Sequence, residues 1–246
     1  MRNFKLLLAY DGSRYKGWQR LGDCDQTIQG KLEQVLSRMT GQPVEVIGSG
    51  RTDAGAHAAG QVANFHAETE LSCAEICTYL RHYLPEDIGV LSVSEAEPRF
   101  HSRLNAVKKT YLYRVWNAET PCVFERKYVW VLPEQLNLSD MQAGANHFLG
   151  THDFLGFCSN KHFKKSSVRT IYEFQVFRQG PELRFLVTGD GFLYNMVRIM
   201  VGTLLAIGRG QMKPEEIDDI FEHRVREQAG ETVPAKGLCL MEVQYS

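Results

Sequence analysis

The 246-residue chain lacks an excess of charge of either sign, because 28 Lys and Arg residues are balanced by 29 Asp and Glu residues and leave a formal net charge of −1. This balance gives no global argument for a polyanionic partner, so any nucleic-acid site must be a local patch. Long apolar runs are also missing, since none reaches the roughly 18 residues of a membrane span. We therefore expect neither membrane insertion nor export.

Motifs that would indicate common cofactors or nucleophiles are absent as well. The six cysteines are scattered without CxxC spacing, which favours a reduced, cytoplasmic protein. The sequence contains no GxxxxGKS/T, no GxGxxG after a predicted strand and no GxSxG. Nucleotide cofactors and serine hydrolase chemistry therefore find no support.

Two groups of histidines are candidate metal ligands. His147, His152 and Asp153 resemble part of a metal-ligand cluster, but a predicted helix end separates the two histidines, so their side chains need not converge. His57 and His66 lack the CxxC or HxE partners of a zinc deaminase. We predict that the protein binds no metal.

The most informative segment is GSGRTDAGAHAAGQVANF, residues 48–65, which sets a single acid, Asp53, among four glycines. Arg51 precedes this acid by two residues and His57 follows it by four. Strands are predicted on both sides, so the loop is held at both ends, as a nucleophile or base requires. The alternative is a turn whose Asp caps a short helix.

Arg198 is the second unusual charge, because the surrounding MVRIMVGTLLAIG predicts a helix that is apolar on nearly every side. A buried guanidinium needs a partner, and a carboxylate that it can bind in a bidentate manner compensates much of the desolvation. We predict that this partner is Asp53, which would then stay ionised. The alternatives are that Arg198 reaches solvent or meets Asp190 or another acid.

Tyr111 lies in KKTYLYRVWN, an alternating strand that also carries Lys108, Lys109 and Arg114. An aromatic face beside cations can hold an extruded base and its phosphates, although cross-strand packing is the commoner role of a strand tyrosine. A second basic stretch is a candidate phosphate-facing loop or a solvated surface. Its basic residues are Lys161, His162, Lys164, Lys165 and Arg169.

The remaining pattern predicts an α+β protein in two halves, residues 1–106 and 107–246, which share one largely antiparallel sheet. In the first half, Thr27 caps a helix that reaches Met39, and Ser72 with Glu75 forms a capping box for a second helix.

In the second half, Ser139 and Gln142 form another predicted capping box, before a helix that ends at Gly150. Two strands, RTIYEFQVFR and ELRFLVTG, form a predicted hairpin, and a helix is predicted from Phe192 to Ile207.

Several separate blocks of the sequence resemble the bacterial tRNA pseudouridine synthase A family. In chain order they are YDG, GWQ, TIQGKLE, GRTDAGAHA, KKTYLYR, HFLGTHDF, VRTIY, GFLYNMVRIMVG and PAKGLCLMEV. The resemblance runs from Leu7 to Tyr245, and the one departure in the central block is Ala56, where valine is expected.

The resemblance implies a pseudouridine synthase fold with two related halves and a central active-site cleft. It implies an enzyme that isomerises uridines in the anticodon stem-loop of tRNA, needs no cofactor and acts as a homodimer. Asp53 corresponds to the catalytic aspartate, Arg198 to its paired arginine and Tyr111 to the residue that stacks on the target base. Arg51 and His57 are further candidate substrate-binding residues.

Such an enzyme would flip the uridine out of the stem before Asp53 acts. Three routes are compatible with these residues: attack on the ribose C1′, attack on the base C6, and proton removal to form a glycal. The rival interpretations are an RNA-binding module without catalysis and an enzyme that modifies a ribosomal RNA uridine.

Overall fold

The computed structural model describes residues 1–22, 24–160 and 165–246, which divide into two compact units. The first unit contains residues 1–107 and 239–246, and the second contains residues 108–238. The division after Val107 lies one residue from the predicted boundary. The predicted second half, however, extended to residue 246, whereas the last eight residues group with the first unit.

The elements up to the division of the chain are four strands, two helices and a 3₁₀ turn at Gly12–Arg14. They are β1 (Arg2–Tyr10), α1 (Ile28–Thr40), β2 (Val46–Gly48), β3 (His57–Ala67), α2 (Cys73–Tyr83) and β4 (Ile88–Ala96). The later elements are β5 (Ala106–Trp116), β6 (Trp130–Val131), α3 (Leu138–His147), β7 (Gly150–Asp153), β8 (Val168–Gln179), β9 (Glu182–Gly189), α4 (Met196–Gly208), α5 (Glu216–His223) and β10 (Leu238–Tyr245).

The sheet of the first unit is built around β3. β1 pairs with it antiparallel along one edge, β4 pairs with β1, and the opposite edge of β3 is shared by β2 and β10. β10 runs parallel to β3, with Cys239 opposite His57 and Leu240 opposite Ala58. This pairing explains why the C-terminal strand belongs to the first unit.

The two helices of the first unit begin and end as predicted. The Thr27 hydroxyl accepts a hydrogen bond from the Gly30 amide, and Gly41 adopts a left-handed conformation with φ of 70° after the last turn of α1. Ser72 and Glu75 form the predicted capping box at the start of α2. Both helices bury one apolar face: α1 packs against β2 and α2, and α2 packs against β4.

The second unit has the antiparallel strand order β5, β9, β8, β7, and β8 and β9 form the predicted hairpin. α3 packs against α4 and β8. A cluster of phenylalanines packs between α5 and the adjoining turn, with ring centroids of contacting pairs 5.0 to 6.0 Å apart; its members are Phe148, Phe154, Phe157, Phe174 and Phe221.

Two helix boundaries in the second unit differ from the prediction. Asn137, rather than Ser139, caps α3, because its side chain accepts from the Asp140 amide and the helix already includes Ser139. That helix ends at His147, and Gly150 begins β7. α4 begins at Met196 rather than Phe192, because Asn195 has a φ of 62° and interrupts helical geometry.

The predicted α+β class, with a largely antiparallel sheet and flanking helices, is confirmed. Among the residues that the structure describes, no helix combines the length and the apolar character needed to cross a membrane.

Candidate active site

Residues 49–56 form the loop that joins β2 to β3 and carries Asp53. Asp53 is half-buried, Arg51 is exposed, and His57, the first residue of β3, is 5% exposed. Two predicted site residues, Arg51 and Asp53, therefore lie on this loop of the first unit, and His57 begins the strand that follows it. Tyr111 and Arg198 belong to the second unit.

Buried side chains of β1 and β3 form a hydrogen-bond network with the Asp53 loop. The Tyr10 hydroxyl lies 2.8 Å from the Thr52 hydroxyl, next to Asp53 in the chain. The Gln61 amide nitrogen donates to the Gly50 carbonyl over 3.1 Å, and its oxygen accepts from the Ser49 hydroxyl over 2.6 Å. Burial raises the pKa of the Tyr10 phenol, so this hydroxyl keeps its proton across the physiological range.

Backbone hydrogen bonds then close the loop around Asp53. The Ala56 amide donates to the Asp53 carbonyl over 3.1 Å, and the Trp18 amide donates to the Thr52 carbonyl over 3.1 Å. Gly55, with a φ of 79°, donates to the Tyr15 carbonyl over 3.2 Å. The main chain on either side of Asp53 is therefore tied to the segment that follows β1.

Two glycines of that segment permit this close approach. A Cβ atom on Gly12 would lie 1.8 Å from the Ala56 carbonyl oxygen, which is a severe clash with backbone. A Cβ atom on Gly17 would lie 2.7 Å from the Thr52 carbonyl oxygen, and Gly17 also has a φ of 96°. Glycine is thus required on both sides of the contact with the loop.

His57 is held by the same segment. Its Nδ1 accepts a hydrogen bond from the Gly12 amide over 3.0 Å and lies 3.3 Å from an Asp11 carboxylate oxygen. Because a buried amide N–H needs an acceptor, we assign the neutral ring with its proton on Nε2, and we do not regard the Asp11 contact as an ion pair. Substrate binding by His57 stays a prediction, and its burial favours a role in fixing the loop.

Tyr111 lies on β5, opposite Val187 of β9, and is 7% exposed. Its ring packs edge-to-face against Phe192, with centroids 5.1 Å apart and an interplanar angle of 83°. This packing fixes the orientation of the ring. Stacking on a substrate base stays a prediction.

Arg198 is carried by α4, which is buried on nearly every side, as predicted. Its Nε donates to the Val233 carbonyl over 2.7 Å, and its Nη1 donates to the Asn195 side-chain oxygen over 2.9 Å. The Asn195 amide group in turn donates to the Ser159 hydroxyl over 3.0 Å. These neutral partners hold the guanidinium in one orientation, and the predicted pairing with Asp53 stays a prediction.

Two of the cations predicted near Tyr111 have other partners, and a shared role with Tyr111 stays a prediction. Arg114 binds Glu182 at 2.5 Å and Glu125 at 3.0 Å, so its charge is already compensated by carboxylates of its own unit. The Lys108 ammonium lies 4.8 Å from the centre of the Tyr172 ring. The alternating pattern identified a half-exposed strand but gave no information on these ion pairs.

The second basic stretch falls largely where the structure gives no description. Lys161, His162 and Lys164 lie outside the described residues, and Lys165 is exposed. Arg169 donates to the Ser166 and Val168 carbonyls next to it in the chain. A phosphate-facing role for this stretch stays a prediction.

The histidines that were considered as metal ligands have other contacts. His147 Nδ1 lies 3.0 Å from an Asp218 carboxylate oxygen. His152 contacts the Leu149 carbonyl over 2.8 Å, and its ring stacks on Phe221 at 4.4 Å. Their rings are engaged with α5 and with the local backbone.

Sequence reasoning missed the residues that hold the site. Tyr10 and Gln61 support the Asp53 loop, and Asn195 orients Arg198. Gln61 gave a usable signal, because a polar residue at a buried position of an apolar strand requires hydrogen-bond partners. Asn195 gave none, because its unusual backbone conformation depends on tertiary structure.

A family model and relatives that match the full length of the chain indicate the same family. The family model described as tRNA pseudouridine synthase matches residues 7–104 and 145–246. Proteins named tRNA pseudouridine synthase A 2 from Bacillus cereus and tRNA pseudouridine synthase A from Acetivibrio thermocellus are 46% and 42% identical over 245 residues, and all of each chain is covered. A corresponding protein of a Bacillus species is 47% identical over the same length.

Among solved structures, one titled "Crystal Structure of a Cbf5-Nop10-Gar1 Complex" matches with 12% identity and a TM-score of 0.35, covering 72% of this chain and 40% of that chain. A similarity at this level carries no argument. The family model and the full-length relatives are sufficient without it. The chain belongs to the tRNA pseudouridine synthase A family and is a pseudouridine synthase, an isomerase.

Proposed function

We propose that this protein converts specific uridines in the anticodon stem-loop of tRNA to pseudouridine, with Asp53 as the catalytic residue. The observation that carries the proposal is the construction of the Asp53 loop. Buried side chains beneath the loop and backbone hydrogen bonds on both sides of Asp53 hold a partly exposed carboxylate in a fixed position. A fixed, accessible carboxylate is what a nucleophile or base requires.

The reaction is an isomerisation, so its atoms balance without a further reagent. The bond between ribose C1′ and base N1 breaks, the base turns, and a bond forms between C1′ and C5. The proton on C5 is lost and N1 gains one. No oxidant, reductant or second substrate is needed, and the protein has to supply only a carboxylate, a means of moving a proton and a pocket for the turned base.

The other candidate residues divide these tasks. Arg198 supplies the permanent positive charge that pairs with Asp53, and the fixed orientation of its guanidinium supports this role. Tyr111 stacks on the extruded base, which replaces part of the stacking that the base loses on leaving the stem. Arg51, which is exposed two residues from Asp53, contacts a phosphate near the target nucleotide.

The family resemblance also supports a homodimer that acts in the cytoplasm. Because the net charge of the chain is −1, binding of tRNA must depend on local basic patches and must weaken as salt concentration rises. A filter-binding titration at several salt concentrations measures this dependence directly.

The decisive experiment replaces the carboxylate. Asp53→Asn keeps the size of the side chain but removes its charge, so we expect no turnover, with tRNA affinity within about tenfold of the wild type because no phosphate contact is lost. Carbodiimide mapping of modified uridines gives the first readout and filter binding the second. Asp219→Asn, on the exposed side of α5, is the matched control and should retain full activity.

Formation of carbodiimide-reactive uridines by Asp53→Asn at the wild-type rate would contradict the proposal. Mapping both tRNA and ribosomal RNA from cells that lack the gene tests the substrate. Loss of modified uridines in the anticodon stem-loop is expected, and loss confined to ribosomal RNA would overturn the tRNA assignment. Wild-type protein that binds tRNA but modifies no RNA would favour the interpretation as a binding module.

A further inference from the structure

The loop of residues 97–105, between β4 and β5, presents a group of basic side chains that the site described above does not use. Arg99 and Arg103 are both exposed, and within the described residues neither forms an ion pair. Glu97 is the one acid in this stretch. The two arginines therefore carry positive charge without a carboxylate in ion-pair contact among the described residues.

Buried polar side chains fix the backbone of this loop. The Asn3 amide group donates to the Glu97 and Phe100 carbonyls, over 2.9 Å in each case. The Asn64 side-chain oxygen accepts from the Ser102 amide over 2.9 Å and lies 2.8 Å from the Ser102 hydroxyl oxygen. Asn3, Asn64 and Ser102 are each no more than 3% exposed. The backbone of the loop is therefore ordered before any ligand binds.

Local hydrogen bonds stiffen the same loop further. The His101 amide donates to the Asn105 side-chain oxygen over 2.7 Å, while the Asn105 amide donates to the His101 carbonyl over 3.0 Å. The Nδ1 atom of His101 accepts from the amides of Arg103 and Leu104. Arg103 thus projects from a turn whose backbone is already ordered.

The anchor places the loop beside the strand that leads into the Asp53 loop. The Ser102 hydroxyl donates to the Ile47 carbonyl of β2, and the Tyr245 hydroxyl donates to the Ser102 carbonyl over 2.7 Å. Ile47 precedes Asp53 by six residues, so their Cα atoms are at most about 22 Å apart. Both loops belong to the first unit.

We propose that Arg99 and Arg103 bind backbone phosphates of the RNA on the side of the target nucleotide that faces the 97–105 loop. This inference rests on the proposed function, because it takes RNA as the substrate. Guanidinium groups match phosphate geometry, and an ordered loop loses little conformational entropy on binding. Lys5 adds to the positive field, since its ammonium lies over the Phe100 and Tyr245 rings, 5.4 and 4.6 Å from their centroids.

The test compares two double variants that remove the same charge. Arg99→Gln/Arg103→Gln changes the proposed phosphate site, and Lys127→Gln/Lys213→Gln removes two exposed lysines of the second unit. Binding of an unmodified tRNA transcript is measured by filter binding from low to high salt. For the arginine variant, we expect a slope of log affinity against log salt that is smaller by about one for each lost phosphate contact.

At low salt, the arginine variant should bind about tenfold or more weakly than the wild type, whereas the lysine variant should stay within about twofold. At saturating tRNA the rate of pseudouridine formation should change little, because phosphate contacts position the substrate in the ground state as well. Arg99→Lys/Arg103→Lys should restore most of the affinity.

An arginine variant with the affinity and slope of the lysine control would overturn this inference, while the proposed function would stand. Wild-type protein that neither binds tRNA nor forms pseudouridine would instead remove the proposed function. Equal melting temperatures for the three double variants and the wild type are expected, because neither arginine makes a contact that supports the fold. If Arg99→Lys/Arg103→Lys had the salt slope of the wild type but did not restore the affinity, that result would also count against phosphate binding.

Discussion

The two units hold their candidate catalytic groups in different ways. Asp53 lies on an irregular loop that is fixed mainly by backbone hydrogen bonds and by glycines that allow main-chain contact. Arg198 lies on a regular helix that is buried on nearly every side, and its guanidinium is fixed by one backbone carbonyl and one side-chain amide. A Cβ added at Gly12 would clash with the backbone of the Asp53 loop. The position of the Arg198 charge instead depends on the hydrogen bonds of its planar guanidinium.

This difference teaches where each group is vulnerable. Movement of Asp53 should follow from changes in main-chain packing, even when no charged residue is altered. Movement of Arg198 should follow from changes in its own side chain or in Asn195. Three substitutions sharpen this contrast, and they are taken from the largest expected effect to the smallest.

Arg198→Lys should lower the rate of pseudouridine formation roughly 100- to 1,000-fold, which is typical for removal of one well-placed polar contact in an active site. A lysine keeps the charge but lacks the planar guanidinium whose Nε and Nη1 donate to Val233 and Asn195. The matched control is Arg209→Lys, just beyond the same helix, where the arginine pairs with Glu134. Single-turnover assays with saturating tRNA give the rates, and wild-type activity in Arg198→Lys would remove the need for a planar, oriented cation.

Gly12→Ala should lower the same rate by about 100-fold, because the new Cβ forces the Ala56 carbonyl and the Asp53 loop to move, and displacements near 1 Å have effects of this size. Gly22→Ala is the control, since among the described residues that are not its chain neighbours none has an atom within 4 Å of a Cβ at that position. The loss should appear with tRNA affinity largely retained. A variant that is folded and fully active would show that the Asp53 loop is not held through this contact.

Glu182→Gln tests how much the ion pairs of Glu182 with Arg114 and Arg184 stabilise the second unit. Desolvation acts to raise the pKa of Glu182, but hydrogen bonds from Arg114 and Arg184 outweigh it and hold the pKa below the ordinary value of 4.5. The ion pairs therefore stabilise the fold at pH values above 4.5, and this stability is lost as pH falls through the lower, folded-state pKa.

Thermal unfolding from pH 7 to pH 3 measures this effect. The wild type should melt at a higher temperature than Glu182→Gln near neutral pH, and the difference should shrink in acid. Exposed Glu222→Gln serves as the control. A difference that does not depend on pH would show that charge at Glu182 is unimportant.

The elements that sequence predicted well are those governed by local chemistry. The cap at Thr27, the capping box of Ser72 and Glu75, and the hairpin of β8 and β9 each depend on a few neighbouring residues. Asn137 was overlooked because two competing polar residues lie within one turn, and only the folded chain shows which of them accepts from a free amide.

The sequence was sufficient to predict which residues form the candidate site, but not which residues hold them in place. Asp53 and Arg198 are conspicuous because each is a charge in an unusual setting, and the family blocks around them assigned their roles. The ion pairs of Arg114 and the network of Tyr10 and Gln61 join residues that are distant in sequence. The pattern of residues along one strand does not predict such partners, because the pairing of residues on neighbouring strands depends on the register between the strands.

The return of β10 to β3 has a consequence for synthesis of the protein. The first unit is interrupted after Val107 and is completed only when Cys239 and Leu240 have left the ribosome and can pair with His57 and Ala58. About 130 residues intervene, which at usual elongation rates amounts to roughly 7 to 26 s. During that interval the edge of β3 at His57 and Ala58 lacks its pairing partner β10. A nascent chain released before residues 239–246 are made would leave this edge unpaired.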